Sequence, residues 1–222
     1  MKIRPAPRCL RLAMALVTLA AGTAAHADDD SWWIHTGVGR VTFYDSSTLI
    51  AAGSVVPGAG AKASDNTALI FETGYRLTPQ WSASATFGVP PVSAITGTGS
   101  AAPFGTMGEI KYGPLVLAAQ YRFGEPGAVV RPYLGAGAVY YIVLESRDAA
   151  IQQLNVKNGW GSALQAGVEV PLSKRYALFL DVKKIFVKTT ATGVLPAAGG
   201  VPVRAETTLN PLLVHLGVGV TF

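Results

Sequence analysis

The chain has 222 residues, enough for one domain of ordinary size, and a formal net charge of +5. Four of its 18 basic residues but none of its 13 acidic residues lie in residues 1–27, so the rest of the chain carries only +1 and offers no basis for nucleic-acid binding. The single cysteine, Cys9, lies in the same N-terminal segment, which excludes disulfides and thiol chemistry from residues 28–222.

Residues 1–27 are predicted to be a secretory signal peptide. The segment begins with four basic residues between Lys2 and Arg11, continues with an apolar run over residues 12–21, and ends on Ala25-His26-Ala27, a small-x-small cleavage pattern. The apolar run is too short for a spanning helix, although a retained helical anchor is the alternative interpretation. The sequence therefore divides into a signal peptide, residues 1–27, and a mature domain, residues 28–222.

The mature domain combines high apolarity with the lack of a membrane-helix pattern. The whole chain is 50% hydrophobic, only 14% charged, and contains 25 glycines. No apolar run after residue 27 reaches the roughly 20 residues that a membrane helix needs. An exported chain of this kind is typical of a β-barrel in the outer membrane of a Gram-negative bacterium.

Eight segments are predicted to be strands, and most of them show the two-residue alternation of a strand that has one apolar and one small or polar face. The parity is imperfect in residues 32–44, where Arg40 falls on the apolar side, and ambiguous in residues 131–144. In the second of the eight segments, Leu69 and Phe71 alternate with Glu72 and Arg76. A basic residue on the lipid face costs about 2–4 kcal/mol at the bilayer midplane, so Glu72 and Arg76 are predicted to face the lumen. In chain order the predicted strands cover residues 32–44, 66–77, 81–89, 109–123, 131–144, 159–170, 176–188 and 212–222.

The connections between these strands alternate between long and short, as in outer membrane barrels with short periplasmic turns and long external loops. The long ones, predicted to be exposed loops, are residues 45–65, 91–107, 145–158 and 189–206, and a short helix is possible over residues 147–154. The predicted fold is therefore all-β, an eight-stranded antiparallel transmembrane β-barrel. A soluble lipocalin-like barrel also has eight strands, but its interior is apolar and its outside is solvated.

Charged side chains occupy the inward-facing positions, and this favours the transmembrane barrel over the soluble lipocalin-like barrel. They are predicted to form an ion-pair network that plugs the periplasmic half of the lumen, because buried charges need partners. Ion selectivity is the alternative role for the same residues. The members of this predicted network are Glu72, Arg76, Arg122, Glu169, Asp181 and Lys183.

The first and last predicted strands contain two histidines and two tryptophans whose roles can be weighed from the sequence. His35 and His215 have inward parity on the first and last strands, where a metal site lacks a third ligand, so we predict neither a metal nor a cofactor. No histidine remains in the predicted external loops to serve a barrel hydrolase, so we predict no enzymatic activity. Trp32 and Trp33 are predicted to lie in an interfacial aromatic belt.

Four stretches of the second half resemble the OmpW family of outer membrane proteins, which includes AlkL-type alkane importers. The resemblance implies an eight-stranded barrel that passes small hydrophobic molecules from its outer mouth sideways into the bilayer. A structural, adhesive or stress-related barrel without transport is the alternative. The stretches are Arg131-Pro132-Tyr133-Leu134-Gly135-Ala136-Gly137, Trp160-Gly161-Ser162-Ala163-Leu164-Gln165-Ala166-Gly167-Val168, Leu178-Phe179-Leu180-Asp181-Val182-Lys183-Lys184, and Asn210-Pro211-Leu212 with Gly217-Val218-Gly219 and Phe222.

The resemblance also implies roles for individual residues. Trp160 matches a tryptophan near the apolar gate, Thr86 falls at the partner position, and Pro90 matches a proline where the strand ladder opens. The terminal Phe222 resembles the signal that the barrel assembly machinery recognises. The implied partners are outer membrane lipid, the assembly machinery and small hydrophobic solutes. The predicted substrate pathway is Trp160, Thr86, Phe87, Pro90 and Phe104.

Overall fold

The computed structural model describes residues 31–125 and 127–222. The predicted signal peptide, residues 1–27, lies outside these ranges. Within them, no helix is both long enough and apolar enough to cross a membrane.

Strands make up nearly all of the described chain. Two 3-10 turns, Ala102–Phe104 and Pro196–Ala198, interrupt them. In chain order the strands are β1 Trp32–Thr42, β2 Ser46–Ala51, β3 Ser54–Val55, β4 Ala59–Ala63, β5 Asn66–Arg76, β6 Trp81–Gly88, β7 Val92–Gly99, β8 Thr106–Arg122, β9 Arg131–Asp148, β10 Gln152–Val156, β11 Gly159–Pro171, β12 Tyr176–Leu195, β13 Val201–Leu209 and β14 Leu212–Thr221.

Eight of these strands close into a barrel in the order β1, β5, β6, β8, β9, β11, β12, β14. Every neighbouring pair is antiparallel, and β14 pairs with β1 from Trp33 opposite Thr221 to Thr42 opposite Leu212. The closed ladder leaves the barrel wall without an edge strand. The prediction of an eight-stranded antiparallel barrel is confirmed.

The prediction that the four long connections are exposed loops is wrong. They contain β2, β3, β4, β7, β10 and β13, and they lengthen β8, β9 and β12. β13 pairs with both β12 and β2, so the sheet continues beyond the barrel on one side. These segments lack a clear alternation in sequence, and their backbone groups obtain hydrogen bonds from neighbouring strands that are distant in the chain.

The short helix considered for residues 147–154 is also absent from this described segment, which holds the end of β9 and the start of β10. Asp148 accepts hydrogen bonds from the backbone N–H groups of Gln153 and Leu154 at 2.9 and 2.8 Å. A left-handed residue, Gln153 with φ 55°, completes the turn. The Asp148 side chain thus closes the connection between β9 and β10, and β10 then pairs with β12.

The predicted inward and outward faces agree with burial along the barrel strands. In β5, Leu69 is exposed while Glu72 is buried, and in β9 the structure turns Tyr133 inward and Leu134 outward. Trp33 is a correction: its side chain is only 1% exposed and lies inside the barrel, while Trp32 packs on Tyr75 at the outer face.

The barrel interior has two parts. The half near the short turns contains the charged and amide side chains, and the half near the long hairpins contains a cluster of buried apolar side chains. This division places an apolar cavity directly above a polar layer.

Candidate functional site: an apolar cavity above a polar plug

The centre of the polar layer is an ion-pair triad of Lys183, Asp181 and Glu72. Lys183 and Asp181 stand on β12 two residues apart, so both side chains point into the barrel. The Lys183 Nζ atom lies 2.6 Å from Asp181 Oδ1 and 3.1 Å from Glu72 Oε2. All three side chains are fully buried, so this layer holds its charges by direct pairing rather than by solvent.

Neutral side chains satisfy the carboxylate oxygens that Lys183 leaves open. Ser84 and Gln120 donate to Glu72 Oε1 at 2.9 and 2.8 Å. Gln165 bridges the two carboxylates, donating to Glu72 Oε1 at 3.1 Å and to Asp181 Oδ2 at 2.6 Å. Side chains from β5, β6, β8, β11 and β12 thus meet in one network, which closes the lumen across its width.

A glycine allows one of these contacts to form. Tyr133 on β9 donates its hydroxyl to Asp181 Oδ2 at 2.8 Å, although β11 lies between their strands. The residue of β11 opposite both is Gly167, where a Cβ would lie 2.3 Å from Cζ of Tyr133. Without a side chain at Gly167, the tyrosine ring lies flat across the strand and reaches the carboxylate.

A second charged layer lies nearer the short turns. Arg122 donates to Glu169 at 3.0 Å, and His35 Nε2 lies 3.1 Å from the same carboxylate oxygen. Arg76 donates to Thr221 Oγ1 at 3.4 Å near the periplasmic mouth. The structure therefore divides the six predicted network residues into the triad, the Arg122–Glu169 pair, and Arg76 at the mouth.

The two lumenal histidines, His35 and His215, both pack against the same aromatic side chain, Phe179. Phe179 stacks on His35 with a centroid distance of 4.2 Å and meets His215 edge-on at 4.6 Å. Across residues 31–125 and 127–222, no group of three His, Cys, Asp or Glu side chains could hold a metal ion.

Above the polar plug lies an apolar cavity of about 50 Å³. It is bounded by side chains from most of the barrel strands, and aliphatic and aromatic residues dominate its wall. The residues are Val41, Phe43, Ala68, Ile70, Thr86, Phe87, Gly88, Val89, Pro91, Tyr112, Gly113, Pro114, Val116, Tyr141, Ile185, Val187, Leu209, Pro211 and Leu213.

The barrel wall is interrupted beside this cavity. The β6–β8 ladder ends at Thr86 opposite Val116, and the β7–β8 ladder begins at Val92 opposite Lys111. Between them, in a fully described part of the chain, Tyr112 donates its N–H to the Pro91 carbonyl at 3.3 Å, and residues 87–90 and 113–115 form no ladder with each other. Prolines at positions 90, 91 and 114 have no N–H to donate, which explains why pairing stops here.

The five residues of the predicted pathway lie in different places. Thr86 and Phe87 line the cavity. Pro90 borders the interruption, since a Cβ at Gly113 would lie 3.5 Å from its Cγ. Phe104 belongs to a 3-10 turn, outside the cavity lining, and Trp160 is 71% exposed on the outer face against Tyr140.

Sequence reasoning missed the aromatic residues of the cavity wall. Tyr112 and Tyr141 are buried there, their ring centroids 5.5 Å apart. Arg122 and Gln120 face inward on β8. Counting back from them in steps of two leads through Val116 to Tyr112, so the alternation of this strand could have predicted that Tyr112 faces the lumen.

Two aspartates fix the outer end of the cavity wall. Asp65 accepts the Phe43 N–H at 3.1 Å, and Asp45 accepts the Ala63 N–H at 2.9 Å. Burial raises the pKa of Asp45 above its ordinary value, and the bond from Ala63 opposes this only in part. These bonds hold Phe43 against the ring of Tyr112, with centroids 5.7 Å apart.

Comparison with known proteins agrees with this architecture. Dibenzothiophene metabolism operon protein PahQ of Pseudomonas aeruginosa is 35% identical over 215 residues, which cover 97% of this chain and 99% of that protein. Outer membrane protein AlkL of Ectopseudomonas oleovorans is 29% identical, over 78% of this chain and 74% of its own. The crystal structure of outer membrane protein OprG from Pseudomonas aeruginosa superposes with a TM-score of 0.82 at 22% identity, over 87% of this chain and 96% of that one.

The OmpW family model matches residues 29–222, nearly all of the predicted mature domain. The relatives and the barrel fold together confirm the predicted location in the outer membrane of a Gram-negative bacterium. This chain belongs to the OmpW family.

Proposed function

We propose that the protein is a passive channel through which small hydrophobic molecules cross the polar surface of the outer membrane. In this proposal a solute enters from the external side, occupies the apolar cavity, and leaves sideways through the wall into the bilayer. The observation that carries the proposal is the interrupted β6–β8 ladder beside an apolar cavity whose floor is a closed polar plug.

The energetics support a lateral exit. The triad of Lys183, Asp181 and Glu72 blocks the direct route to the periplasm with buried charges, which no apolar solute can replace. Transfer of the solute from water into hydrocarbon is favourable by about 0.8 kcal/mol per CH₂ group. Residues on both sides of the interruption, such as Val89 and Pro114, line the cavity, which supports this route for the transfer.

The proposed solutes include both aliphatic and aromatic compounds. The name of PahQ refers to a dibenzothiophene metabolism operon, and dibenzothiophene is a planar aromatic compound. The buried Tyr112, Tyr141 and Phe43 rings favour an aromatic solute, since aromatic rings prefer edge and offset contacts with one another.

The test is uptake of octane and naphthalene by cells with and without the gene. We expect faster uptake with the gene present. Equal uptake would contradict the channel proposal and favour a structural barrel without transport.

A single substitution in the wall sharpens this test. Gly113→Leu places a side chain beside Pro90 at ordinary contact distance, so it should narrow the interruption without unfolding the barrel. We expect uptake to fall toward that of cells without the gene. The matched control is Ala119→Leu, an enlargement on the lipid-facing side of the same strand, which should leave uptake unchanged. Full uptake by Gly113→Leu at normal membrane levels would show that solutes do not leave here.

A further inference from the structure

The cavity wall is built from aromatic rings and from residues that carry hydroxyl groups. Tyr112 and Tyr141 stack with an interplanar angle of 28°, and Phe43 meets Tyr112 edge-on at 70°. All three are buried and all three line the cavity. Such an arrangement presents ring faces and edges to a planar guest, which gains more from them than a flexible alkyl chain of equal area does.

Two of the residues that line this cavity carry a buried hydroxyl group without a hydrogen-bond partner. Tyr141 is 4% exposed and Thr86 is 3% exposed. Among the described residues, neither the Tyr141 hydroxyl nor the Thr86 hydroxyl makes a hydrogen bond. The buried hydroxyl of Tyr133, in the polar layer below, does have a partner, since it donates to the Asp181 carboxylate at 2.8 Å. An unpaired buried hydroxyl carries a free-energy penalty that a hydrogen-bonding guest removes.

The chemical nature of the guest decides whether that penalty remains. A wholly apolar solute fills the cavity and leaves both hydroxyls unpaired. A solute of the same shape with one acceptor atom receives a hydrogen bond from Tyr141 or Thr86. Sites built to hydrogen-bond a guest reject the analogue that lacks the bonding group, because their own polar groups are then left unsatisfied.

We infer that this cavity selects planar aromatic solutes that carry one hydrogen-bond acceptor over wholly apolar solutes of the same size and shape. This inference rests on the proposed function, since it names the solute class of the same channel. A cavity of about 50 Å³ holds one end of a two-ring molecule, and the other end extends toward the interruption bordered by Phe87 and Pro114.

The test compares naphthalene with quinoline, which replaces one ring CH by an acceptor nitrogen. Binding of each to the purified barrel in lipid nanodiscs is measured by equilibrium dialysis, with empty nanodiscs subtracted. We expect the barrel to bind quinoline tighter than naphthalene by roughly two- to tenfold, the effect of one neutral hydrogen bond. Tyr141→Phe, which keeps the ring and removes the hydroxyl, should abolish most of this preference, and Thr86→Val should remove the remainder.

The matched control is Tyr140→Phe. Tyr140 is the neighbouring residue on β9, but its side chain packs on Trp160 at the outer face. This variant should keep the quinoline preference. Unchanged heat-dependent gel mobility of all four variants, including the Tyr141→Phe, Thr86→Val double variant, would show that they are folded. A preference that is absent from the wild type, or equal in wild type and the Tyr141→Phe, Thr86→Val double variant, would overturn the inference.

Uptake into cells separates this inference from the proposed function. If naphthalene and octane enter faster with the gene but quinoline gains no preference that depends on Tyr141, the channel stands and the selectivity is wrong. If the nanodiscs show the Tyr141-dependent preference but no solute enters faster with the gene, the binding site stands and transport is wrong.

Discussion

Replacing Lys183 with methionine is expected to destabilise the folded barrel by about 3–5 kcal/mol, because the change leaves two buried carboxylates without their shared cation. Lys183 Nζ lies within 3.1 Å of Glu72 and within 2.6 Å of Asp181, and neither side chain reaches solvent. Urea unfolding of the barrel in lipid vesicles measures the change in the free energy of unfolding.

Two further variants test the cause of this loss. Lys188→Met removes a lysine that is exposed on the same strand and should change the free energy of unfolding by no more than about 0.5 kcal/mol. The triple variant Lys183→Met, Glu72→Gln, Asp181→Asn removes all three charges and should recover much of the lost stability. A Lys183→Met barrel that unfolds like the wild type would show that the triad does not hold the plug together.

Deletion of Phe222 is expected to lower the amount of barrel in the outer membrane several-fold while changing the stability of the inserted barrel little. Its side chain is half-exposed, and its backbone N–H donates to the Trp32 carbonyl at 2.9 Å. Loss of that one bond at the closing seam is worth about 0.5–1.5 kcal/mol. We propose that the larger effect arises because the assembly machinery recognises the terminal aromatic residue.

Quantitative blotting of outer membrane fractions measures the amount, and refolding of the purified variant into vesicles measures the stability. Phe123→Ala is the matched control, since Phe123 is another exposed aromatic residue at the periplasmic end but is not terminal. The proposal fails if the shortened chain reaches the membrane at the wild-type level, or if Phe123→Ala lowers that level equally.

The barrel strands were predictable because a charged side chain on the lipid-facing side of a strand costs free energy. Leu69 and Glu72 on β5 cannot exchange faces without placing a charge in lipid, so the alternation appears plainly in the sequence. β2 and β13 had no such constraint. Both lie in the part of the sheet that continues beyond the eight barrel strands, and they pair with each other, for example with Thr207 opposite Ser47.

The Trp33 correction illustrates a limit of local patterns. Two adjacent tryptophans at the start of a strand fit an interfacial belt equally well, yet alternation permits only one to face outward. The register places Trp33 opposite Gly74, where a Cβ would lie 2.2 Å from its ring. Room for the indole therefore depends on a residue 41 positions later in the chain.

The candidate site was predictable in its members but not in its pairs. Parity alone places Asp181 and Lys183 on one inward face, and their pairing is local. Glu72 joins them from 111 residues away, a contact that exists only when the barrel closes. The cavity depends on where the β6–β8 ladder stops, and that follows from the positions of three prolines relative to each other across two strands.

The length of β12 has a consequence for where solutes meet the protein. The strand has 20 residues. A tilted strand crosses the bilayer in about 9–11 residues, so the remainder rises roughly 25 Å above the hydrocarbon at a rise of about 3.3 Å per residue and a tilt near 40°. The entrance of the barrel thus stands above the charged headgroups. A sparingly soluble molecule diffusing in the water outside the cell would collide with protein before it reaches that barrier.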